Sequence, residues 1–374
     1  MDIRTYDGIA TMLGAIIGAG VLGIPYVIAK AGIVPGVLML LVLGIALLFM
    51  NLMLGEVVLR TKGDHQLAGY ADIYCGPWGG RLMTISMVVG IYGALTAYIV
   101  AMGDILAQLV GGQPLVWMLL VFVIMALVLA QKLGAIEGYE RVMSTVKVLL
   151  LVLVAVVAFA APAFKAGNLS IPTVSWTLPF GVILFSLLGT AAIPSVHEGL
   201  KGKFGNLHKV LIWSGIIPIV LYLLFTVAVI GVTGTSTTEI ATQGLGAALG
   251  PMAIILLGVF ALFAMASAFV ALGEALKKSY EEDFGWLSIT AWAATIALPI
   301  VLVVLGARSF ISVLGITGAL AGGLDGIVIC WMYVKAKKTR SRKPEYTINV
   351  PTPVVWLLGV IFVLALVWAV AQIL

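Results

Sequence analysis

Eleven apolar runs, separated by short polar or charged breaks, decide what this chain can fold into. Each is long enough to cross a bilayer as a helix, which takes about 20 mostly apolar residues. Hydrophobic residues make up 62% of the chain and charged ones 10%, against about a quarter charged in soluble domains. The chain therefore reads as an all-α polytopic membrane protein with 11 transmembrane helices and no soluble domain. The predicted spans are 7–31, 34–59, 82–109, 114–132, 141–163, 177–199, 208–232, 250–276, 286–306, 309–334 and 352–373.

Charge fixes the expected orientation. With the N-terminus cytoplasmic, all but Lys30, Lys165 and Arg308 of the 21 lysines and arginines fall on the inner side, as the positive-inside rule requires. The C-terminus is then outside, in keeping with an odd number of spans and a multi-pass protein of the cell membrane. The net charge of +5 is explained by this topology, so no nucleic-acid partner is called for. No cleavage site follows the first apolar run, so it is read as a retained span. Cys75 and Cys330, with His65, His197 and His208, are too few and too scattered for a disulfide framework or metal centre, and no cofactor motif is present. Leu67, Tyr70, Ala71 and Tyr74 have the spacing of an amphipathic helix on the inner face, although a plain connector fits as well. The Thr/Gly-rich stretch from Thr233 to Gly250 is long enough to form a lid over an external vestibule.

The first span carries the least regular stretch, GAIIGAGVLGIP from Gly14 to Pro25. Glycine and proline are the residues that a continuous helix accommodates worst. At membrane depth a break survives only where protein or ligand satisfies the freed backbone. A second stretch of this kind lies in the sixth span, where Gly189-Thr190-Ala191-Ala192-Ile193-Pro194 aligns on Gly20-Val21-Leu22-Gly23-Ile24-Pro25. Five spans separate the two, so they would belong to halves of opposite topology. Paired interrupted spans of this kind point to a transporter's midplane binding site, though chance similarity between short apolar segments also gives such a match. The expected organisation is one transmembrane domain, residues 1–374, with repeat one about 7–163, repeat two about 177–334 and an extra helix about 352–373.

The chemistry these segments offer is that of helix ends. Gly18-Ala19-Gly20-Val21-Leu22-Gly23 matches the dinucleotide pattern G-x-G-x-x-G, but residues 38–50 hold no acidic partner, so that reading is rejected. Gly14 and Gly18 also form G-x-x-x-G, which lets membrane helices approach closely. A break near Ile17, Gly18, Ala19, Gly20 and Val21 exposes N–H groups at a positive helix end, suited to a carboxylate. Free carbonyls upstream, and at Leu187, Leu188, Gly189 and Thr190, suit an ammonium or a cation. Phe185, Tyr92 and Tyr98 either shape a pocket or simply pack. Lys147 in the fifth span is either a proton-exchanging group or a lysine that snorkels to the interface. Ser267 in the eighth is either a hydroxyl partner or a packing serine. Asp325 in the tenth has no partner identifiable from sequence, and Glu56, Asp104, Glu198 and Glu274 near span ends read as solvated or structural. His197-Glu198 lacks the second histidine of a zinc helix. No catalytic triad or nucleotide loop is found, so the chain is not expected to be an enzyme.

Gly18 to Tyr26, GAGVLGIPY, followed by Ala29-Lys30-Ala31-Gly32, resembles the first-span signature of the amino acid/auxin permease family, within the amino acid–polyamine–organocation (APC) superfamily. Phe185-Ser186-Leu187-Leu188-Gly189 resembles that superfamily's sixth-span gate and break. Val146-Lys147-Val148-Leu149 resembles the fifth-span lysine motif of its proton-coupled members. The resemblance implies a 5+5 inverted-repeat (LeuT/APC-type) fold with broken helices 1 and 6, and an amino acid bound between them. It also implies transport by alternating access, and a Lys147 placed near the first break and Ser267. Gly14 stands where sodium-dependent members carry an asparagine, which favours proton over sodium coupling. Ala94, Ala97, Thr190, Ala191 and Ala192 are small, which favours a neutral substrate. The expectation is a proton-coupled neutral amino acid transporter. The alternatives are a sodium-coupled permease for another small solute and a non-transporting sensor of the same fold.

Overall fold

The computed structural model describes residues 2–131, 139–282, 285–339 and 342–373, and among these the regular structure is all helical. The first predicted span is two helices, α1 (Ile3–Ile16) and α2 (Gly20–Ala31), bent by 57°. Next come α3 (Ile33–Arg60), α4 (Leu67–Val110), α5 (Pro114–Ala130) and α6 (Tyr139–Ala160). The sixth span is divided into α7 (Pro179–Leu187) and α8 (Ile193–Gly199), with a 3-10 turn at Thr190–Ala192 between them. The remainder is α9 (Leu207–Thr233), α10 (Ala241–Leu249), α11 (Pro251–Glu282), α12 (Ser288–Val304), α13 (Phe310–Lys338) and α14 (Thr352–Ile373). Among the described residues, seven helices have the length and composition to cross a membrane, and the bent α1–α2 pair adds an eighth. Three more apolar helices are shorter: α5, α12 and Ser144–Ala160 of α6. Helices of that length reach about 26 Å, a little less than the roughly 30 Å hydrocarbon core. Lys132, Arg340 and the side chain of Arg141, counted above on the inner side, lie outside the described residues.

Burial separates two environments. Val34, Leu38, Val42, Ile45 and Phe49 are exposed along one face of α3, at the helical spacing of a lipid-facing stripe. The opposite side of each helix is packed. Near its start, α7 crosses α13 so closely that a Cβ on Gly181 would collide with the carbonyl oxygen of Gly315. This small-residue contact is what brings membrane helices together in the absence of a hydrophobic drive.

The predicted inner-face helix exists but continues into the third span, as α4 turns at Gly76 (φ 73°) before Pro77. Leu67, Tyr70, Ala71 and Tyr74 are buried, so this face is turned to protein rather than lipid. Tyr74 Oη lies 3.0 Å from Thr61 Oγ1, and Tyr70 Oη accepts from the His65 N–H.

The face carrying the N-terminus is tied by charge. Lys203 pairs with Asp2 at 2.7 Å, and its ammonium holds the Asp2 carboxyl below its ordinary value; Arg4 donates to Lys201 O at 3.0 Å. Together these join the start of α1 to the turn after α8. Glu56 is structural rather than solvated: its side chain is 0% exposed and pairs with Arg60 at 2.7 Å and Lys337 at 2.9 Å. It also accepts from the Ile348 N–H at 2.9 Å, while Tyr346 Oη donates to Leu52 O at 2.8 Å. The segment before α14 is thereby strapped across α3 and α13. Removing one side of a buried, paired charge costs about 3–5 kcal/mol. Lys337 and Arg60 are partly exposed, so Glu56→Ala is expected to cost about 3 kcal/mol. This would be measured as a lowered thermal unfolding midpoint in detergent, with an unchanged midpoint arguing against the strap.

Candidate functional site

At the first break the backbone leaves the helix at Ile17 (ψ 83°) and is helical again by Ala19. The N–H groups of Gly20 and Val21, at the start of α2, find no acceptor among the described residues. At the second break, Leu188 is extended (ψ 126°), and Gly189 (φ −143°, ψ 9°) leads into the 3-10 turn. Pro194 lies in the first turn of α8, where its missing N–H costs nothing.

The two breaks interlock. A Cβ on Gly20 would lie 3.0 Å from Ser186 Cα, and one on Gly189 would lie 2.6 Å from Ile16 Cγ1. Each break's glycine therefore receives the last turn of the other break's upstream helix, and a side chain at either position would force them apart. Tyr222 of α9 spans the junction. Its buried hydroxyl lies 3.1 Å from Ile16 O and 3.1 Å from Ser186 O, donating one hydrogen shared between them. One side chain thus satisfies carbonyls at the ends of both α1 and α7, where the helical ladder stops.

Around this junction the structure gathers Ile17, Ala19, Gly20, Val21, Gly189 and Thr190, all buried, with Gly18, Phe185 and Leu188 partly so. The Tyr98 hydroxyl reaches in from α4, 3.1 Å from where a Gly18 Cβ would be and beside the Ala19 backbone. Ala94 and Ala97 are buried on the same helix, whereas Ala191 is exposed. Thr190 donates its hydroxyl to Asp325 Oδ2 of α13 at 2.6 Å. Phe185 packs against Gly318 of α13.

The two residues expected to handle the proton lie on different helices. Lys147 is 8% exposed, one turn along α6 from Ser144, which would collide with a Cβ on Gly14. Gly14 thus lets α1 approach the face of α6 that carries Lys147. Ser267 donates within its own helix to Ala264 O at 3.0 Å. Its helix, α11, packs against α4, α5, α10 and α12, whereas α6 packs against α1 and α9.

A cavity of about 590 Å³ lies apart from this junction, lined by Gln108, Thr233, Thr238, Gln243 and Ala248 under α10. Most of its lining comes from the Thr/Gly-rich segment itself. Sequence reasoning missed Tyr222 and the partners of Asp325. Neither carries a local signal, because each acts on residues more than 30 positions away.

A family model described as the tryptophan/tyrosine permease family matches residues 3–372. The chain is 24% identical to "Glutamine transporter 2" of Aliivibrio fischeri, over 94% of both chains. It is 23% identical to "Tyrosine-specific transport system 1" of Haemophilus influenzae, over 96% of this chain and 95% of that one. Among solved structures, MhsT in complex with L-phenylalanine superposes with a TM-score of 0.69 at 16% identity, over 100% of this chain and 98% of that one; at that identity the likeness shows the fold.

Replacing Tyr222 by Phe keeps the ring and removes the hydroxyl donor from Ser186 O, while Ile16 O keeps the Gly18 N–H at 3.0 Å. An unsatisfied buried polar group costs about 1–3 kcal/mol. Tyr222→Phe is expected to lower the unfolding midpoint in detergent by that equivalent, more than the same change at Tyr6, which is exposed. Equal midpoints for the two variants would refute the clamp.

Proposed function

The chain belongs to the tryptophan/tyrosine permease family, and on that premise we propose that it is a secondary active transporter of a neutral amino acid, working by alternating access. The observation that carries this reading is the interlocked pair of breaks, with the Gly20 and Val21 N–H groups unaccepted at the head of α2. There, in the shell of Ile17, Gly18, Ala19, Gly20 and Val21, the positive helix end and free donors suit the substrate carboxylate. Carbonyls near Leu188, Gly189 and Thr190 suit its ammonium, and Phe185 stands as the gate. A neutral side chain is favoured by Ala94 and Ala97 beside the junction. The relatives named for glutamine and tyrosine, and the phenylalanine in the neighbouring structure, also have uncharged side chains.

The same reading takes residues about 7–163 and 177–334 as inverted repeats, whose breaks meet at the centre, and 352–373 as an added helix. The N-terminus is cytoplasmic and the C-terminus outside. The likeness of GAGVLGIPY to amino acid/auxin permeases is taken as a feature shared across the APC superfamily. Coupling is to protons through Lys147, and Ser267, whose helix packs on other neighbours in this structure, would join it as a hydroxyl partner only in another state of the cycle. The burial of Lys147 supports a working role over snorkelling, which would leave its ammonium in water. Gly14 itself offers sodium no side-chain oxygen, in contrast to the asparagine of the sodium-dependent relatives the chain resembles.

Purified protein in liposomes, with pH and sodium gradients imposed separately, tests each part. A neutral amino acid is expected to accumulate under an inward proton gradient alone, and Lys147→Ala to reduce that accumulation to the level of empty liposomes. Failure to move any amino acid would sink the transport reading and leave a sensor. Sodium-driven uptake with full activity in Lys147→Ala would sink the proton role.

A further inference from the structure

Near the middle of α13, Asp325 is 4% exposed and held by two hydroxyls from different parts of the fold. Ser86 of α4 lies 2.6 Å from Oδ1, and Thr190, in the turn of the sixth-span break, lies 2.6 Å from Oδ2. The helices packed on α13 are α2, α3, α4, α7 and α14. Among the described residues none of them presents a charged or titratable group to Asp325, whose polar side-chain partners are these two hydroxyls. An ionisable side chain at membrane depth is a functional position by default.

The hydrogens around Asp325 can be counted. Thr190 has one hydroxyl hydrogen and no acceptor other than Oδ2 among the described residues. Ser86 also has one, but two acceptors within reach: Asp325 Oδ1 at 2.6 Å and Ala321 O at 2.8 Å. A carbonyl only accepts, whereas a carboxyl accepts when ionised and donates when protonated. If Asp325 is ionised, Ser86 donates to Oδ1 and the contact with Ala321 O holds no hydrogen. If a proton from water is bound at Oδ1, Asp325 donates to Ser86, Ser86 turns its hydrogen to Ala321 O, and every short contact carries one hydrogen. The site thus accommodates one proton by rotating a single hydroxyl.

We propose that Asp325 is a proton-binding site that reports on, and acts on, the sixth-span break through Thr190. The proposal rests on the transport reading for its role in a cycle, and on geometry alone for the proton site. Ionised, the carboxylate accepts from Thr190 in a charge-assisted bond, roughly twice as strong as the neutral one. Protonation weakens that hold on the turn joining α7 to α8 and frees the break to rearrange. In the proposed repeats, α6 and α13 are the fifth spans of their halves. Each broken helix then has one ionisable side chain on a fifth span: Lys147 on the helix packed against α1, and Asp325 at the second break.

Asp325→Asn tests this, because its amide preserves a donor and an acceptor in the same shape but cannot titrate. Infrared spectra of the wild-type protein in detergent, with no substrate added, are expected to show a protonated-carboxyl band that titrates with pH and is absent from Asp325→Asn. This measurement stands apart from transport, so its failure is distinguishable from failure of the transport reading. With substrate, the affinity of the wild type is expected to vary with pH, that of Asp325→Asn to vary less because only Lys147 is left to titrate, and that of Asp325→Glu and Lys147→Ala to keep a pH dependence. A titrating carboxyl band retained in full by Asp325→Asn, or wild-type pH dependence of its substrate binding, would overturn the proposal. Should Asp325→Asn not fold, the wild type and Asp325→Glu decide: a band that shifts between the two supports the site, and the absence of any titrating band overturns it.

Discussion

A backbone N–H or C=O left unpaired in a membrane costs several kcal/mol, and that single constraint organises this protein. Two helices stop in mid-membrane, and each leaves carbonyls behind it and amide hydrogens ahead of it. The fold resolves the carbonyl side internally, with one tyrosine from α9 donating to Ile16 O and Ser186 O. On the amide side, Gly20 and Val21 are left with donors that no described residue uses. That asymmetry is what the proposed site draws on: the carbonyls of Ile16 and Ser186 are met by the protein, whereas the N–H groups of Gly20 and Val21 would suit a ligand of opposite character.

The interlocking of the breaks gives this arrangement its rigidity. Gly20 lies on Ser186 and Gly189 on Ile16, so neither upstream helix can shift without the other. Polar ties hold it from further out: Thr190 is tied to Asp325 on α13, and at the other end of α1 Asp2 and Arg4 are tied to Lys203 and Lys201. Polar ties of these kinds are few, directional and breakable, whereas the α7–α13 crossing is a backbone-to-backbone contact. A rearrangement that opens one side of the junction would break the former and keep the latter, as rocking of one bundle against another does in transporters.

Much of the architecture was legible in the chain because membrane helices announce themselves by length and hydropathy. The break at residues 17–19 was legible too, since four glycines and a proline within a span leave few other conformations. Leu67, Tyr70, Ala71 and Tyr74 had the right helical period, but period alone does not say whether an apolar face meets lipid or protein. The role of Glu56 was open for the same reason: a carboxylate near a span end looks solvated until Lys337 and the Ile348 N–H, more than 280 residues on, are seen to close over it.

The sequence by itself determined that the chain is a bundle of membrane helices and that two of them carry glycine- and proline-rich stretches a continuous helix accommodates poorly, because hydropathy and glycine act locally. Only the tertiary structure decided how the breaks meet, which carbonyls Tyr222 satisfies, and that Asp325 is held by Ser86 and Thr190 rather than by a cation. Those facts depend on which residue faces which across helices far apart in the chain, and in a membrane, where nearly every candidate neighbour is apolar, the pattern of residues along the chain does not specify such pairings.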